Sequence, residues 1–529
     1  MSIFTKASFE RPNQSTFDLS HSRLFTADMG KLIPILCQPV LPGDKWSINS
    51  NQMLRMMPLI APVMHEVNVV THYFYVPNRI IWEKFKEFMT GGDSAELEPA
   101  LPTVMNLVVP KNSLADYLGL PTTGTNSQIN DDISILPFLA YQKIWNEFYR
   151  DQNLQDEIDI TDFIEGSNVF GTNQINADIF NIRNRAWNHD YFTSALPFAQ
   201  KGIDVMLPLI SQDLEPVQVN FNPHAPVAPK AYNWETGLPF SDAKNLITDG
   251  GGHTIMSNQI DEQSNVVFDN SDFLEVDLDG LQASAASIRD LRVAIATQKF
   301  LEKNARGGTR YIEQLLVHWG VTSSDGRLQR PEFLGGSKSP VMISEVLQQS
   351  ATQANSTPQG NLAGHGMNLG GTSKIYKRFE EHGYVIGIMS IMPKTMYMQG
   401  IPKDFTKIDR LDFGFPEFEH IGEQNILNKE IMYNHSQPDE TFGYVPRYSE
   451  YKYINNSVHG DLKSSLDFWH LGRIFDVGNP PQLNAEFIEC KPRTDIFAVQ
   501  DPEFPRFVVN MYHDIKAKRP FSYYSNPKL

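Results

Sequence analysis

Residues 63–76, VMHEVNVVTHYFYV, alternate with the period of a β-strand and are apolar on both sides. One side presents Val67, Val69, Thr71, Tyr73 and Tyr75; the other presents Val70, Phe74 and Val76 beside Asn68 and His72. Such a strand can leave neither face in water, so it demands a layer above and a layer below. Residues 383–392, GYVIGIMSIM, repeat that demand before Pro393 ends the run, and their β-branched Ile residues and internal Gly387 argue against a helix. Segment 32–48, LIPILCQPVLPGDKWSI, is apolar but interrupted by Pro34, Pro39 and Pro42, which suits an edge-like or bent strand with turns. Further strands are expected around 441–455 and 485–499.

Helical spacing is short and local. Pro77-Asn78 closes the first strand, and Asn78 is placed to cap a helix with the stripe Ile81, Phe85, Phe88 and Met89, stopped by Gly91-Gly92. A second helix starts at Pro137, with Tyr141, Ile144, Trp145, Phe148 and Tyr149 on one face. A third lies near 286–303 and a fourth at 309–319, split by Arg306-Gly307-Gly308; the fourth carries the stripe Tyr311, Ile312, Leu315, Leu316 and Trp319. With 34 Gly and 34 Pro in 529 residues, turns and long loops dominate, and the chain exceeds what one compact core holds. Scattered strands, long loops and few helices point to a mainly β protein, a jelly roll with large insertions.

Net charge is −17, which excludes a uniformly basic polyanion binder. Residues 211–280 carry twelve acids against Lys230 and Lys244, over half of that excess. This stretch has Pro clusters, the run DGGGH and no strong periodicity, so it reads as a solvent-exposed insertion of short strands or turns. The opposite balance closes the chain. In 506–529, Arg506, Lys516, Lys518, Arg519 and Lys528 face the single acid Asp514, and Phe521, Tyr523 and Tyr524 follow directly. Amines that neutralise phosphates beside rings that stack on unpaired bases suit single-stranded nucleic acid. The same composition also suits an ordinary solvated tail, and the residues alone leave the two readings level.

Enzymatic patterns fail on spacing. His65-Glu66 with His72 is not HExxH, and in a strand the two histidines point to opposite faces. The glycines of 360–371, GNLAGHGMNLGG, match no phosphate-binding loop and read as a flexible surface loop. Glu417 and Glu419 could form a glycosidase pair, but nothing nearby is placed to raise a carboxyl pKa. No GxSxG is present, and Cys37 and Cys490 read as reduced, partly buried thiols. Neither a signal peptide nor a membrane span is evident, so synthesis and folding in a cytoplasm are expected, without cofactor, metal site or membrane insertion.

Several blocks then run in order along the chain: LPGDKWSI…PLIAPVMHEVNVVTHYFYVPNRIIW (41–82), LPFLAYQKIWNEFYRDQN (136–153), RNRAWNHDYFTSALPFAQKG (183–202) and RPEFLGGSKSPVMISEVLQQS (330–350). They continue with PQGNLAGHG (358–366), EHGYVIGIMSIMPKTMYMQGIPK (381–403), GYVPRYSEYKYINNSVHGD (443–461) and SSLDFWHLGRIF (465–476). These blocks resemble the major capsid proteins of the Microviridae, the gokushovirus-like single-stranded-DNA bacteriophages. The resemblance implies an eight-stranded viral jelly roll, a homo-oligomeric T=1 icosahedral shell around circular single-stranded DNA, and a surface protrusion built by the insertion. Residues 1–210 would be the N-terminal part with helical insertions, 211–280 the protrusion, and 281–529 the C-terminal part with a basic tail. Lys516, Lys518, Arg519, Tyr523, Tyr524 and Lys528, with Arg306 and Arg310, become interior DNA contacts. Trp234, Asp249, His253 and Asp261 become residues facing a host cell-surface receptor. Other phage structural or scaffolding proteins are implied partners, and the virion is the implied location. A lectin-like, carbohydrate-binding β-sandwich is the alternative.

Overall fold

Chain segments that are hydrophobic on one or both faces pair here into two antiparallel sheets. The computed structural model describes residues 13–91, 99–124, 127–160, 177–202, 205, 219–221, 231–233, 246–248, 255–257, 266–268, 274–276, 288–308, 310–347, 349, 361–501 and 504–524. The sheet strands are β1 (Ser15–Asp18), β2 (His21–Ala27), β3 (Ile33–Val40), β4 (Lys45–Met56), β5 (Val67–Pro77) and β6 (Glu332–Pro340). They continue with β7 (Met342–Leu347), β8 (Leu362–Gly371), β9 (Ile375–Arg378), β10 (Gly383–Pro393) and β11 (Phe507–Arg519). A four-stranded sheet has the order β6-β5-β10-β3. A seven-stranded sheet places β11 between β4 and the pair β1 and β2, with β8 and β9 on the far side of β4 and β7 outermost.

One hydrophobic core draws on both sheets: Ile33, Ile35, Val69, Tyr73, Val385 and Met389 from one, Trp46, Leu54, Phe507, Val509 and Met511 from the other. Polar groups inside it are paired. The His513 ring bonds the Ser50 hydroxyl at 2.7 Å and the Ile35 carbonyl at 3.1 Å, and the Tyr73 hydroxyl donates to Ser50 at 2.7 Å. A second core covers the opposite face of the four-stranded sheet. There Phe74, Val76, Ile386 and Ile388 meet Trp82, Val109, Phe138, Tyr141 and Ile144. β5 and β10 are therefore buried on both faces, as their sequences require. β3 is an edge strand, where Pro34 and Pro39 withdraw no hydrogen bond from a sheet interior.

Several local expectations are corrected. Residues 507–519 are not a tail but the longest strand among the described residues, because Phe507, Val509, Met511, His513, Ile515 and Ala517 alternate inward between outward, mostly polar residues. The glycine-rich stretch is strand β8 instead of a loop. A side chain at Gly364 would press on the Ala61 carbonyl and one at Gly366 on the Met56 side chain, so Gly364 lets adjacent backbone approach and Gly366 leaves room for a core side chain. Residues 485–499 hold no strand; Asn484 caps the short helix Ala485–Ile488 by accepting from the Phe487 amide at 2.9 Å. The strand near 441 stops at Pro446, and a helical turn, Ser449–Lys452, follows. Asn78 lies inside the helix Asn78–Ile81, not at its cap, and Phe88 and Met89 are exposed.

The helix at Pro137 forms as α1 (Leu136–Ile144) but continues into a π-helical turn, Trp145–Tyr149. The two later helices are α2 (Ile288–Gly307) and α3 (Tyr311–Trp319), separated at Gly308, whose φ is +90°. Two compact units emerge, Met1–Lys201 with Glu302–Leu529, and Gly202–Leu301. The second contains three nested antiparallel pairs: Val219–Phe221 with Leu274–Val276, Ala231–Asn233 with Val266–Phe268, and Leu246–Thr248 with Ile255–Ser257. Cys37 and the buried Cys490 are free thiols, and burial pushes Cys37 up to about 12.

Candidate nucleic-acid interface

The basic residues gather where sheet register puts them side by side. On the seven-stranded sheet Arg378 lies opposite Lys45, and Lys45 opposite Lys518; one step along, Tyr376 lies opposite Ser47, and Ser47 opposite Lys516. Directly opposed residues share a face, so these side chains stand together on the side away from the core. They rim a shallow cleft of about 380 Å³ with Thr16 at its edge. Tyr376 is exposed and presents a ring beside the amines. Asp18 pairs in register with Lys516; the Ser20 hydroxyl and amide, and least of all Lys516, hold its carboxyl below the usual value. Chemically the patch offers fixed cations and a ring with no deep pocket, which fits phosphates and stacked bases without sequence reading.

Not every expected residue joins this patch. Arg519 turns to the sheet: its Nε lies 3.1 Å from the buried Asp44 carboxylate, a terminal nitrogen donates to the Pro39 carbonyl at 3.0 Å, and the guanidinium covers Trp46. Its role is structural, so Arg519→Gln is expected to cost about 2 kcal/mol in urea unfolding. A variant as stable as the parent would remove that role.

Tyr523 stacks on Phe17 at 6.0 Å and meets Tyr524 edge-on at 5.1 Å, and both rings are exposed. Arg306 and Arg310 line a different cavity. Arg306 pairs with Glu423, and Arg310 donates to the carbonyls of Asn146 at 2.7 Å and Arg150 at 3.1 Å. Both guanidiniums are thus engaged within the fold. Lys528, Trp234, Asp249, His253 and Asp261 lie outside the described residues. Sequence reading missed Lys45, Tyr376 and Arg378, which are far from residue 516 in the chain. Their one available signal was outward alternation in flanking strands.

The enzymatic alternatives lose their geometry. Glu419 is exposed and paired with Lys452 at 2.9 Å, which lowers its pKa, the reverse of what a general acid needs. The His65 ring is bonded to the Lys394 carbonyl at 2.7 Å and His72 to the Tyr149 hydroxyl at 2.7 Å. Among the described residues no helix is long and apolar enough to cross a membrane.

Two face-to-face sheets, long covering insertions and a cationic patch on an exposed sheet face suit a structural, assembling protein. Comparison with known proteins makes the class definite. The family described as Capsid protein (F protein) matches residues 7–529. The chain is 32% identical to capsid protein VP1 of Chlamydia phage 1, covering 98% of this chain and 96% of that one. It is 34% identical to capsid protein VP1 of Bdellovibrio phage phiMH2K, covering 97% and 95%, and 33% identical to capsid protein VP1 of Spiroplasma virus 4, covering 98% and 95%. The chain belongs to this phage capsid family, in agreement with its resemblance to the gokushovirus branch of the Microviridae. It is a capsid protein, a structural component of the virion.

Proposed function

We propose that the chain folds as an eight-stranded viral jelly roll and assembles with copies of itself into a T=1 icosahedral shell around circular single-stranded DNA. Strand order carries this reading. Taking β2, β3, β4, β5, β6, β8, β10 and β11 as first to eighth, one sheet runs first-eighth-third-sixth and the other second-seventh-fourth-fifth. Consecutive strands thus cross between sheets except the fourth and fifth, which pair with each other across the long insertion, an order that fits the two Greek keys of a jelly roll. The insertion between β5 and β6 and the segment between β10 and β11 supply the surfaces for neighbouring copies and other phage structural or scaffolding proteins. Negative-stain microscopy of the expressed protein should show small uniform shells; a monomer that never assembles would overturn the reading.

The cationic face of the seven-stranded sheet is the side assigned to the genome. Lys45, Lys516 and Lys518 changed together to Gln should reduce DNA retention and flatten the salt dependence of single-stranded DNA binding by about 2 in log–log slope. Unchanged genome content in such particles would remove the assignment. The acidic unit within 202–301 is the element assigned to host attachment, since its negative charge suits an outer position away from DNA. Deleting roughly 215–275 should leave the sheets folded by circular dichroism and abolish adsorption to host cells; retained adsorption would sink this assignment.

A further inference from the structure

The face of the four-stranded sheet that looks away from the shared core holds a cavity of about 470 Å³, bordered by Asn68, Val70, His72, Arg185, Asn188 and Lys338. Register explains its chemistry. Lys338 lies opposite Val70 and Val70 opposite Ser390, so the three form one row across β6, β5 and β10. Arg185 reaches that row from the loop before Trp187: one terminal nitrogen donates to the Ser390 hydroxyl at 2.8 Å, and its plane lies over the Tyr149 ring. Apolar Val70 is therefore the floor between two cations.

Among the described residues no carboxylate lines this cavity. Among the described residues no ion pair involves Arg185, and burial lowers its pKa, opposed only by Tyr149 and Cys490. His72, on the next row, is held down to about 4 by burial and then by Arg185, so its ring stays neutral near pH 7. Glu66, the acid on which Lys338 acts, is bonded to the Asn68 amide at 2.9 Å and to Lys394 at 3.3 Å. A largely buried guanidinium without a counter-charge is costly, and an anion in the cavity would offset that cost.

We propose that this cavity is an oxyanion site, taking a small phosphate-type anion between the Arg185 fork and the Lys338 amine. A planar guanidinium gives two parallel donors to a tetrahedral oxyanion, and the ammonium adds a point charge from the opposite side. The site lies on the other sheet from the patch proposed for DNA, and the occupant proposed is a small free anion, a choice that rests on that reading of the patch.

Titration calorimetry and thermal unfolding of the full chain, with sodium phosphate against sodium chloride at matched ionic strength, test this. Saturable phosphate binding and a raised unfolding midpoint are expected, with no such effect of chloride. Lys338 is exposed, so Lys338→Gln should fold normally and bind phosphate about tenfold more weakly. Arg185→Lys should also weaken binding, because the charge remains but the fork is lost. Absence of saturable binding, an equal effect of chloride, or unchanged affinity in Lys338→Gln would each overturn the site. Displacement of bound phosphate by a single-stranded oligonucleotide would overturn it in favour of a nucleic-acid contact.

Discussion

Phe74→Ala is expected to remove about 3–5 kcal/mol of folding stability and to leave no assembled shells. Phe74 is 1% exposed on the outer face of β5, where it joins the sheet to the long insertion that follows. Its ring centre lies 4.8 Å from that of Phe148, 5.5 Å from Phe333 and 6.0 Å from Tyr149. Truncation leaves a ring-sized void among groups fixed by the sheet and by the π-helical turn at 145–149, so little collapse can fill it. Phe74→Leu keeps most of the volume and should cost under about 1.5 kcal/mol. Urea unfolding of the two variants separates the cases. If Phe74→Ala unfolds within about 1 kcal/mol of the parent, the second core does not depend on this anchor.

Stability should also fall steeply between pH 6.5 and 4. Burial, the largest cause in each case, holds His65, His72 and His513 at about 4. In the unfolded chain each returns to about 6.5. Between those values the unfolded state binds more protons, so stability is complete above pH 6.5 and is lost as pH falls toward 4. Each group contributes at most about 3 kcal/mol over that window. Below it no further loss comes from these rings. His513 is the most telling, because protonation leaves its ring with two donors against the Ile35 carbonyl and a Ser50 hydroxyl already receiving from Tyr73. Urea unfolding at pH 7.5, 6 and 5 should show a progressive drop, and His72→Gln should reduce its slope. A stability curve flat from pH 7.5 to 5 would refute the coupling.

What could be read from sequence was periodicity. The two-sided apolar runs at 63–76 and 383–392 demanded interior strands, and both became central strands of the four-stranded sheet, the first from Val67 onward. The stripe expected from Pro137 onward pointed correctly to the buried Tyr141 and Ile144 of α1 and Trp145 of the π-helical turn. The 507–519 strand was missed although its alternation was visible, because its outward lysines and following aromatics suggested a solvated tail. The helix stripe ending in Phe88 and Met89 was overread, since Trp82 breaks the helix; Phe85 and Phe88 meet the Trp82 ring, yet Phe88 and Met89 stay largely exposed.

The candidate site was half legible. Lys516 and Lys518 stood out because local charge density is a property of sequence. Lys45, Tyr376 and Arg378 did not, because register between distant strands brings them to the same face. Likewise Arg519 seemed interchangeable with its neighbours until the fold placed it against Asp44 and Trp46. Sequence by itself determined which segments must be covered, the acidic insertion, and the capsid family through its ordered blocks. Tertiary structure alone decided which cations share a surface, which are spent inside the fold, and where Arg185 sits with no ion pair among the described residues. The physical reason is range: side-chain periodicity acts over a few residues, whereas sheet register and burial are set by strands hundreds of residues apart.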